Sequence, residues 1–221
     1  MQYLDDNWYG LNWTTWISFL DRSSFQAFPT LPGVYRVKPV GSDELFYIGQ
    51  TGRTLRERLR SLIRNTLQDS MPFNDPHTAA PSLWAWRDAA GITFEASATP
   101  TGLPGRQREG LESCLLWLYR LTKGESTACN HGRFHPRYHK SRNRGSGQRG
   151  GRLPPGQTNP AGGVSLRPLQ LEGEPTSNNW MGLNWQELCK MTPRNVNTLL
   201  ERKGIYRIIG DNLLYIGQTT N

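Results

Sequence analysis

Cysteine is scarce and scattered in this sequence. The 221 residues include three, Cys114, Cys129 and Cys189, an odd number that does not build a disulfide framework. No apolar run approaches the roughly 20 residues that cross a bilayer, and no basic-then-apolar segment of a secretory signal opens the chain. We therefore expect a protein of a reducing compartment, either cytoplasmic and nucleoid-associated or nuclear in a eukaryote, without a membrane partner.

Acidic residues are outnumbered, with 18 Asp and Glu against 26 Lys and Arg, which gives a formal net charge of +8. Such a balance favours a polyanionic partner, because lysine and arginine gain affinity by releasing counterions from phosphates. A basic protein without such a partner is the alternative. Eight Trp, eight Tyr and seven Phe within 36% apolar residues are enough for a buried core, which argues against wholesale disorder.

The segment 33–58, GVYRVKPVGSDELFYIGQTGRTLRER, organises the sequence. It predicts strands at about 33–39 and 45–49 joined by a polar turn, and this hairpin sets Tyr35 beside Tyr47. The following Thr54-Leu-Arg-Glu is a capping box that starts a helix. Its apolar residues share one arc, and Arg58 lies at the margin of that arc, from which it can reach over the sheet.

The remaining elements follow from caps and periodicity. Asn12 is a plausible N-cap of a short helix through Leu20. Further on, we expect a helix at about 82–90, a strand at 92–98 and a long helix at about 106–122 that ends at Gly124. The predicted fold is α/β in the α+β sense, with a small three-stranded antiparallel sheet flanked by helices in the order ββααβα.

Glu112 stands out on the long helix because it projects into an apolar arc. A carboxylate in such a place is costly unless it meets a cation, a metal or a hydrogen-bond donor. Two readings stay open: a structural Glu–Arg pair and a functional carboxylate.

The segment 131–152 carries seven Lys or Arg and no acid. Gly-rich and weakly periodic, it suits an arm that orders on a phosphate backbone, with a solvated tail as the alternative. Three histidines at intervals of four follow Cys129 and raise the idea of a zinc site, but Pro136 interrupts any helix that would align them. The histidines are His131, His135 and His139.

The end of the chain repeats its beginning. Residues 179–185, NWMGLNW, echo 7–13, NWYGLNW, and a second hairpin follows at 204–219 after a helical stretch. We expect a lead-in, a main domain, a basic arm with a linker, and a partial repeat. Their ranges are 1–30, 31–131, 132–178 and 179–221.

The hairpin with its GVY and YIG, the Leu55-x-x-Arg58 helix, the late Glu112 and then Asn130 resemble the GIY-YIG nuclease superfamily. The resemblance covers about residues 30–131, and 204–219 for the partial copy. It implies a metal-dependent endonuclease that hydrolyses phosphodiester bonds of double-stranded or branched DNA.

The resemblance also implies roles for the residues that match the motif. Tyr35 acts as general base or orients the attacking water, Tyr47 hydrogen-bonds nearby, and Arg58 stabilises phosphate oxygens. Glu112 holds Mg²⁺ or Mn²⁺, and Asn130 braces the site. Gly33 and Gly49 are structural positions of the motif. Contacts to nucleic acid are expected from eight basic residues: Arg53, Arg56, Arg60, Arg133, Arg137, Lys140, Arg142 and Arg144.

Two positions depart from the family pattern. Leu62 stands where several members carry a histidine, and Gln50 where some carry a lysine. Proton transfer then rests on the tyrosines. The alternative function is a catalytically inactive nucleic-acid-binding protein on the same scaffold.

Overall fold

The computed structural model describes residues 2–160, 169–196 and 203–219. The chain divides into two compact units, 1–168 and 169–221. The second unit therefore begins ten residues before the predicted repeat. Within the described ranges, none of the helices is both long and apolar enough to cross a membrane.

The first unit is built on an antiparallel sheet of four strands in the order β1-β4-β2-β3. The strands are β1 (Ile17–Ser18), β2 (Gly33–Pro39), β3 (Tyr47–Thr51) and β4 (Phe94–Pro100). All seven residues of the central strand β2 are buried, because it pairs with β3 on one side and β4 on the other. The prediction of a mixed fold with antiparallel strands is confirmed, and the predicted count of three strands is wrong by the short edge strand β1.

Three helices accompany the sheet: α1 (Leu55–Thr66), α2 (Ala80–Ala90) and α3 (Gly105–Lys123). The hydroxyl of Thr54 accepts the backbone N–H of Glu57, which confirms the predicted N-cap of α1. Gly91 and Gly124 end α2 and α3 in the left-handed conformation, as glycine allows at helix ends. These ends agree with the predicted ones, whereas α2 begins two residues earlier than predicted.

Both faces of the sheet are covered, and the strand alternation sorts the residues between them. Tyr35 and Val37 pack in one apolar cluster with the buried leucines of α1 and with Leu83 of α2. Val34 and Ile48 pack in the other, with Leu115 and Leu116 of α3 and with residues of the N-terminal lead-in. The motif residues thus lie in a sheet that is enclosed on both sides.

The predicted helix at Asn12–Leu20 is wrong, because the segment is extended and supplies β1, with Ile17 opposite Ala96. Its tryptophans surround the fully buried Arg36, whose guanidinium lies 4.3 Å from the ring centroid of Trp13 and 4.7 Å from that of Trp16. The same guanidinium donates to backbone carbonyls of the lead-in, including that of Asp5 at 2.9 Å. Pairing with β4 and stacking on Arg36 override the helical spacing of the aromatic residues.

The basic segment, expected to order on a phosphate backbone, has strands and a packed side in its described part. Strands β5 (Tyr138–His139) and β6 (Gly151–Arg152) form a small antiparallel ladder. Phe134 and Tyr138 are buried in a cluster with Met71 and Trp84. The Tyr138 hydroxyl donates to the Asp88 carboxylate at 2.6 Å. Two aromatic side chains thus attach the segment to the loop before α2 and to α2 itself.

The second unit reproduces the lead-in and hairpin of the first. It contains α4 (Pro193–Val196) and the hairpin of β7 (Gly204–Ile209) and β8 (Leu213–Thr219). Trp180 and Trp185 stack at 6.0 Å as Trp8 and Trp13 do at 5.8 Å. The Arg207 guanidinium lies 4.5 Å from the centroid of the Trp185 ring, and the equivalent distance from Arg36 to Trp13 is 4.3 Å. Part of the predicted linker (161–168) and part of the predicted helical stretch (197–202) lie outside the described residues.

Candidate active site

The two motif tyrosines, Tyr35 and Tyr47, lie next to each other on the hairpin, as predicted. Their rings are tilted and lie side by side, with centroids 5.9 Å apart at an interplanar angle of 41°. Gly49 makes this approach possible, because a Cβ there would lie 2.5 Å from the Tyr47 ring and 2.8 Å from the Tyr35 hydroxyl. Gly33 likewise admits Leu55 of α1, whose Cδ1 would lie 2.9 Å from an added Cβ. Both glycines therefore serve close packing rather than a special turn.

Arg58 joins helix α1 to the tyrosines. Its Nε donates to the Tyr35 hydroxyl at 3.2 Å, and its Nη1 donates to the carbonyl of Pro76 at 3.1 Å. The Arg58 side chain is partly buried. The two hydrogen bonds hold its charged guanidinium in one position at the edge of the sheet. This confirms the predicted reach of Arg58 over the sheet.

Glu112 of α3 belongs to the same electrostatic site. The pKa of Glu112 is raised to about 7 by burial first and by the charge of Glu109 second, while Arg58 opposes the rise. The charge of Glu112 in turn raises the pKa of both Tyr35 and Tyr47. Among the described residues no salt bridge to Glu112 is formed, so the structural Glu–Arg pair is not what the geometry shows.

The tyrosines themselves are poor bases in this environment. Burial raises the pKa of Tyr35 above its usual range, and Arg58 only partly offsets that effect. Burial raises the pKa of Tyr47 still more clearly. Both side chains are therefore protonated hydroxyl groups at neutral pH, which suits hydrogen bonding and orientation of a ligand better than proton abstraction.

Asn130 fixes strand β3 of the hairpin through side-chain hydrogen bonds. Its Oδ1 accepts the backbone N–H of Ile48 at 2.9 Å and the hydroxyl of Thr127 at 2.6 Å, and its Nδ2 donates to the carbonyl of Ile48 at 2.8 Å. The side chain is buried, and these bonds engage the amide at both ends. Asn130 therefore positions β3 between the two site residues Tyr47 and Gly49 rather than contacting a substrate.

His77 is a member of this neighbourhood that the sequence analysis missed. It follows Pro76, the acceptor of Arg58, and only 2% of it is exposed. Its Nδ1 is buried without a hydrogen-bond partner in the described part of the chain. Burial lowers the pKa of His77 to about 4, and the charges of Arg58, Arg53 and Arg64 lower it further. A neutral imidazole beside three arginines is the only state compatible with their repulsion; a lone loop histidine far from the motif gave no signal for it.

A second contact that the sequence analysis missed joins α3 to β3. Arg108 of α3 is buried and donates from Nε to Oε1 of Gln50 at 2.8 Å and from Nη1 to the Leu103 carbonyl at 3.1 Å. A cation of α3, four residues before Glu112, thus contacts Gln50 of β3.

The eight basic residues expected to bind nucleic acid separate into two groups. Arg56 donates to the carbonyl of Phe28 at 2.9 Å, and Arg133 donates to the carbonyls of Ser126 and Thr127. These two guanidinium groups serve the fold. The side chains of the other six are exposed: Arg53, Arg60, Arg137, Lys140, Arg142 and Arg144.

The histidines of the basic segment do not gather with Cys129. Within the described ranges, His, Cys, Asp and Glu form no group of three or more that could hold a metal ion. His135 instead packs its ring against Trp86 and Tyr138, with centroids at 4.5 and 5.0 Å. Cys129 is buried, and burial raises the pKa of its thiol to about 12, which leaves it an inert core residue.

No protein-family model matches this chain, and it matches no curated protein and no solved structure. Its function must therefore be argued from the geometry of the site.

Proposed function

We propose that this protein is a metal-dependent endonuclease of the GIY-YIG type that hydrolyses phosphodiester bonds in double-stranded or branched DNA. The observation that carries the proposal is the hydrogen bond from Arg58 to the Tyr35 hydroxyl at 3.2 Å, with Glu112 in electrostatic reach of both. A fixed cation, a hydroxyl and a carboxylate are the groups that phosphodiester hydrolysis needs.

Glu112 fits a divalent cation. Mg²⁺ keeps several waters and binds through one or two carboxylates together with substrate phosphates. The pKa of Glu112 is raised to about 7 although the charge of Arg58 lowers it, so a further cation would favour the ionised carboxylate. The bound ion, Mg²⁺ or Mn²⁺, would neutralise phosphate charge and assist the leaving oxygen.

The chain's own residues then have the following roles. The Arg58 fork binds the non-bridging oxygens of the scissile phosphate and stabilises the charge that builds up on them. The hydroxyls of Tyr35 and Tyr47 orient the attacking water, since their raised pKa values disfavour the phenolate. Water attacks phosphorus and the bond to the leaving oxygen breaks. Asn130 holds β3, and with it Tyr47, in place.

The test is cleavage of plasmid and branched DNA in Mg²⁺, with the ends mapped. Arg58→Lys removes the fork but keeps the charge, and we expect cleavage to fall by about a hundredfold with DNA binding little changed. Arg22→Lys, an exposed arginine outside the expected DNA contacts, is the matched control and should cut normally. If Arg58→Lys cuts as fast as Arg22→Lys, the proposed site is wrong. A wild-type chain that shifts DNA but cuts nothing is the inactive binding protein.

A further inference from the structure

A small polar cavity lies beside Tyr47, and the proposed chemistry gives no role to its other lining residues apart from Asn130. It measures about 120 Å³ and is lined by Tyr47, Asn130, Thr78, His131 and Lys140, among others. Pockets that enclose whole small molecules begin at roughly 300 Å³. The cavity therefore suits a group the size of a phosphate with its water, and not a nucleobase with its sugar.

The donors that could serve a ligand in this cavity can be identified by elimination. Asn130 spends both ends of its amide on Ile48 and Thr127. Arg133 also borders the cavity, but its Nη1 donates to two backbone carbonyls and its Nη2 forms an ion pair with the Glu125 carboxylate at 3.7 Å. Burial and the charges of Arg120 and Arg133 lower the pKa of His131, so His131 is a neutral neighbour at pH 7. The exposed Lys140 is the cation that remains.

Lys140 also borders a second, larger hollow. This hollow measures about 520 Å³ and is lined by His139, Lys140, Arg142, Gln148 and Arg149. Arg149 is engaged, since its Nη1 donates to the Met71 carbonyl at 2.6 Å and its guanidinium lies 4.4 Å from the Phe73 ring centroid. Arg142 is exposed. Positive charge thus continues from the cavity beside Tyr47 across Lys140 to Arg142.

The lining of both hollows, in the part of the chain that is described, contains no Asp or Glu. The ladder of β5 and β6 holds His139, the residue before Lys140, and the backbone N–H of Arg142 donates to the Gln148 carbonyl at 3.0 Å. A fixed row of cations without a carboxylate fits a chain of phosphates better than an acidic peptide, whose charges are unevenly spaced.

We propose that the cavity between Tyr47 and Lys140 binds the DNA phosphate next to the one held at Arg58, and that the strand continues across Lys140 toward Arg142. This inference rests on the proposed function, because it takes the Arg58 phosphate as its reference. In this proposal Lys140 binds one DNA phosphate, and the basic segment binds a DNA strand along a defined path rather than attracting DNA only by its net charge.

The first experiment measures DNA binding by the full chain in EDTA at several salt concentrations, so that no cleavage is required. Each phosphate contact contributes about 0.9 to the slope of log K against log salt in duplex DNA. Lys140→Gln should lower that slope by about 0.9 and weaken binding about eightfold near 0.1 M salt. Lys190→Gln, an exposed lysine of the second unit, is the matched control and should leave the slope unchanged. An unchanged slope for Lys140→Gln overturns the proposal.

The second experiment locates the phosphate. Single methylphosphonates, which remove one phosphate charge, are moved along the bound strand and combined with Lys140→Gln or with Arg58→Lys in double-mutant cycles. At the Lys140 phosphate, the modification should cost wild type about eightfold and the lysine variant almost nothing. That position should be the immediate neighbour of the one that couples to Arg58. Coupling several phosphates away, or additive effects throughout, overturns the proposal.

These measurements distinguish a failure of the proposed nuclease function from a failure of the proposed path of the DNA strand. A chain that shows the Lys140 slope and the adjacent coupling but cuts no DNA refutes the nuclease and leaves the strand path standing. A chain that cuts DNA while Lys140→Gln binds with the wild-type slope refutes the strand path alone.

Discussion

Replacing Glu112 by Gln should stabilise the protein at alkaline pH while removing its proposed activity. The pKa of Glu112 rises from 4.5 to about 7 on folding, mainly through burial. At about 1.4 kcal/mol for each pKa unit, the ionised carboxylate costs the folded state at most about 3 kcal/mol. Because the side chain is only partly buried, solvent screening reduces this to about 1–2 kcal/mol.

The sign follows from which state holds the proton. Below about pH 4 the carboxyl is protonated in both states, so Glu and Gln should be equally stable there. As pH rises from 4.5 to about 7, the unfolded chain releases the proton and the folded chain does not, so wild-type stability falls relative to the variant. The full difference is present above about pH 8.

The assay is thermal unfolding by circular dichroism across this pH range. For a unit of this size, about 1–2 kcal/mol corresponds to a gain in Tm of roughly 3–6 °C for Glu112→Gln. Glu44→Gln, an exposed glutamate near 3.9 Å from Lys123, is the control and should show no pH-dependent gain. The reasoning is refuted if Glu112→Gln gains nothing at alkaline pH, or gains as much under acidic conditions.

Three further substitutions probe the frame of the site. Gly49→Ala forces a Cβ to within 2.5 Å of the Tyr47 ring and should cost about 1–3 kcal/mol in urea unfolding; Gly102→Ala, with nothing within 4 Å, should be neutral. Asn130→Ala leaves the buried N–H and carbonyl of Ile48 without their amide partner, so it should lose about 2–4 kcal/mol in the same assay; a loss of activity at full stability would contradict its bracing role. His77→Phe removes a group whose pKa falls from 6.5 to about 4 on folding, so the variant should keep, near pH 5, stability that wild type loses as pH drops below 6.5; parallel pH profiles in thermal unfolding would refute this.

The local signals in the sequence were sufficient where an element carries its own start, stop and apolar face. The hairpin of β2 and β3, the Thr54 cap and the glycine ends of α2 and α3 are of this kind. Within the site, the approach of Arg58 to Tyr35 follows from the phase of one helix against one strand. Such short-range geometry is what periodicity specifies.

The predictions that were wrong concern segments whose structure depends on contacts with distant parts of the chain. The lead-in has helical spacing of its aromatic residues, but it is drawn into an extended form by β4 and by the buried Arg36, which is 23 residues from Trp13. The basic segment has a disordered composition, yet Phe134 and Tyr138 anchor it to residues around α2. In both cases two or three aromatic side chains decide the outcome, and a window of local composition does not register them.

The same reason explains what was missed in the site. The contact of Arg58 with Pro76 spans 18 residues, and that of Arg108 with Gln50 spans 58. Neither His77 nor Arg108 belongs to a pattern that marks it. Each residue is marked only by its three-dimensional surroundings. His77 is buried, and its Nδ1 has no hydrogen-bond partner in the described residues. Arg108 is buried and donates to Gln50.

The second unit repeats the tyrosine hairpin of the first, but its tyrosines are exposed. Tyr206 and Tyr215 stand 6.0 Å apart like Tyr35 and Tyr47, but they are 42% and 54% exposed. Within residues 169–196 and 203–219, the structure shows no arginine and carboxylate beside this second pair like those beside the first. The repeated tyrosine pair is therefore a property of the hairpin itself.

The central claim is tested most directly by single-turnover nicking of DNA by wild type and Glu112→Gln, each with Mg²⁺ and with EDTA. We expect wild type to nick only with the metal, and Glu112→Gln to bind the same DNA with unchanged affinity and leave it uncut. Nicking by Glu112→Gln at the wild-type rate would contradict the account, and so would a wild type that binds DNA tightly and cuts nothing in Mg²⁺ or Mn²⁺.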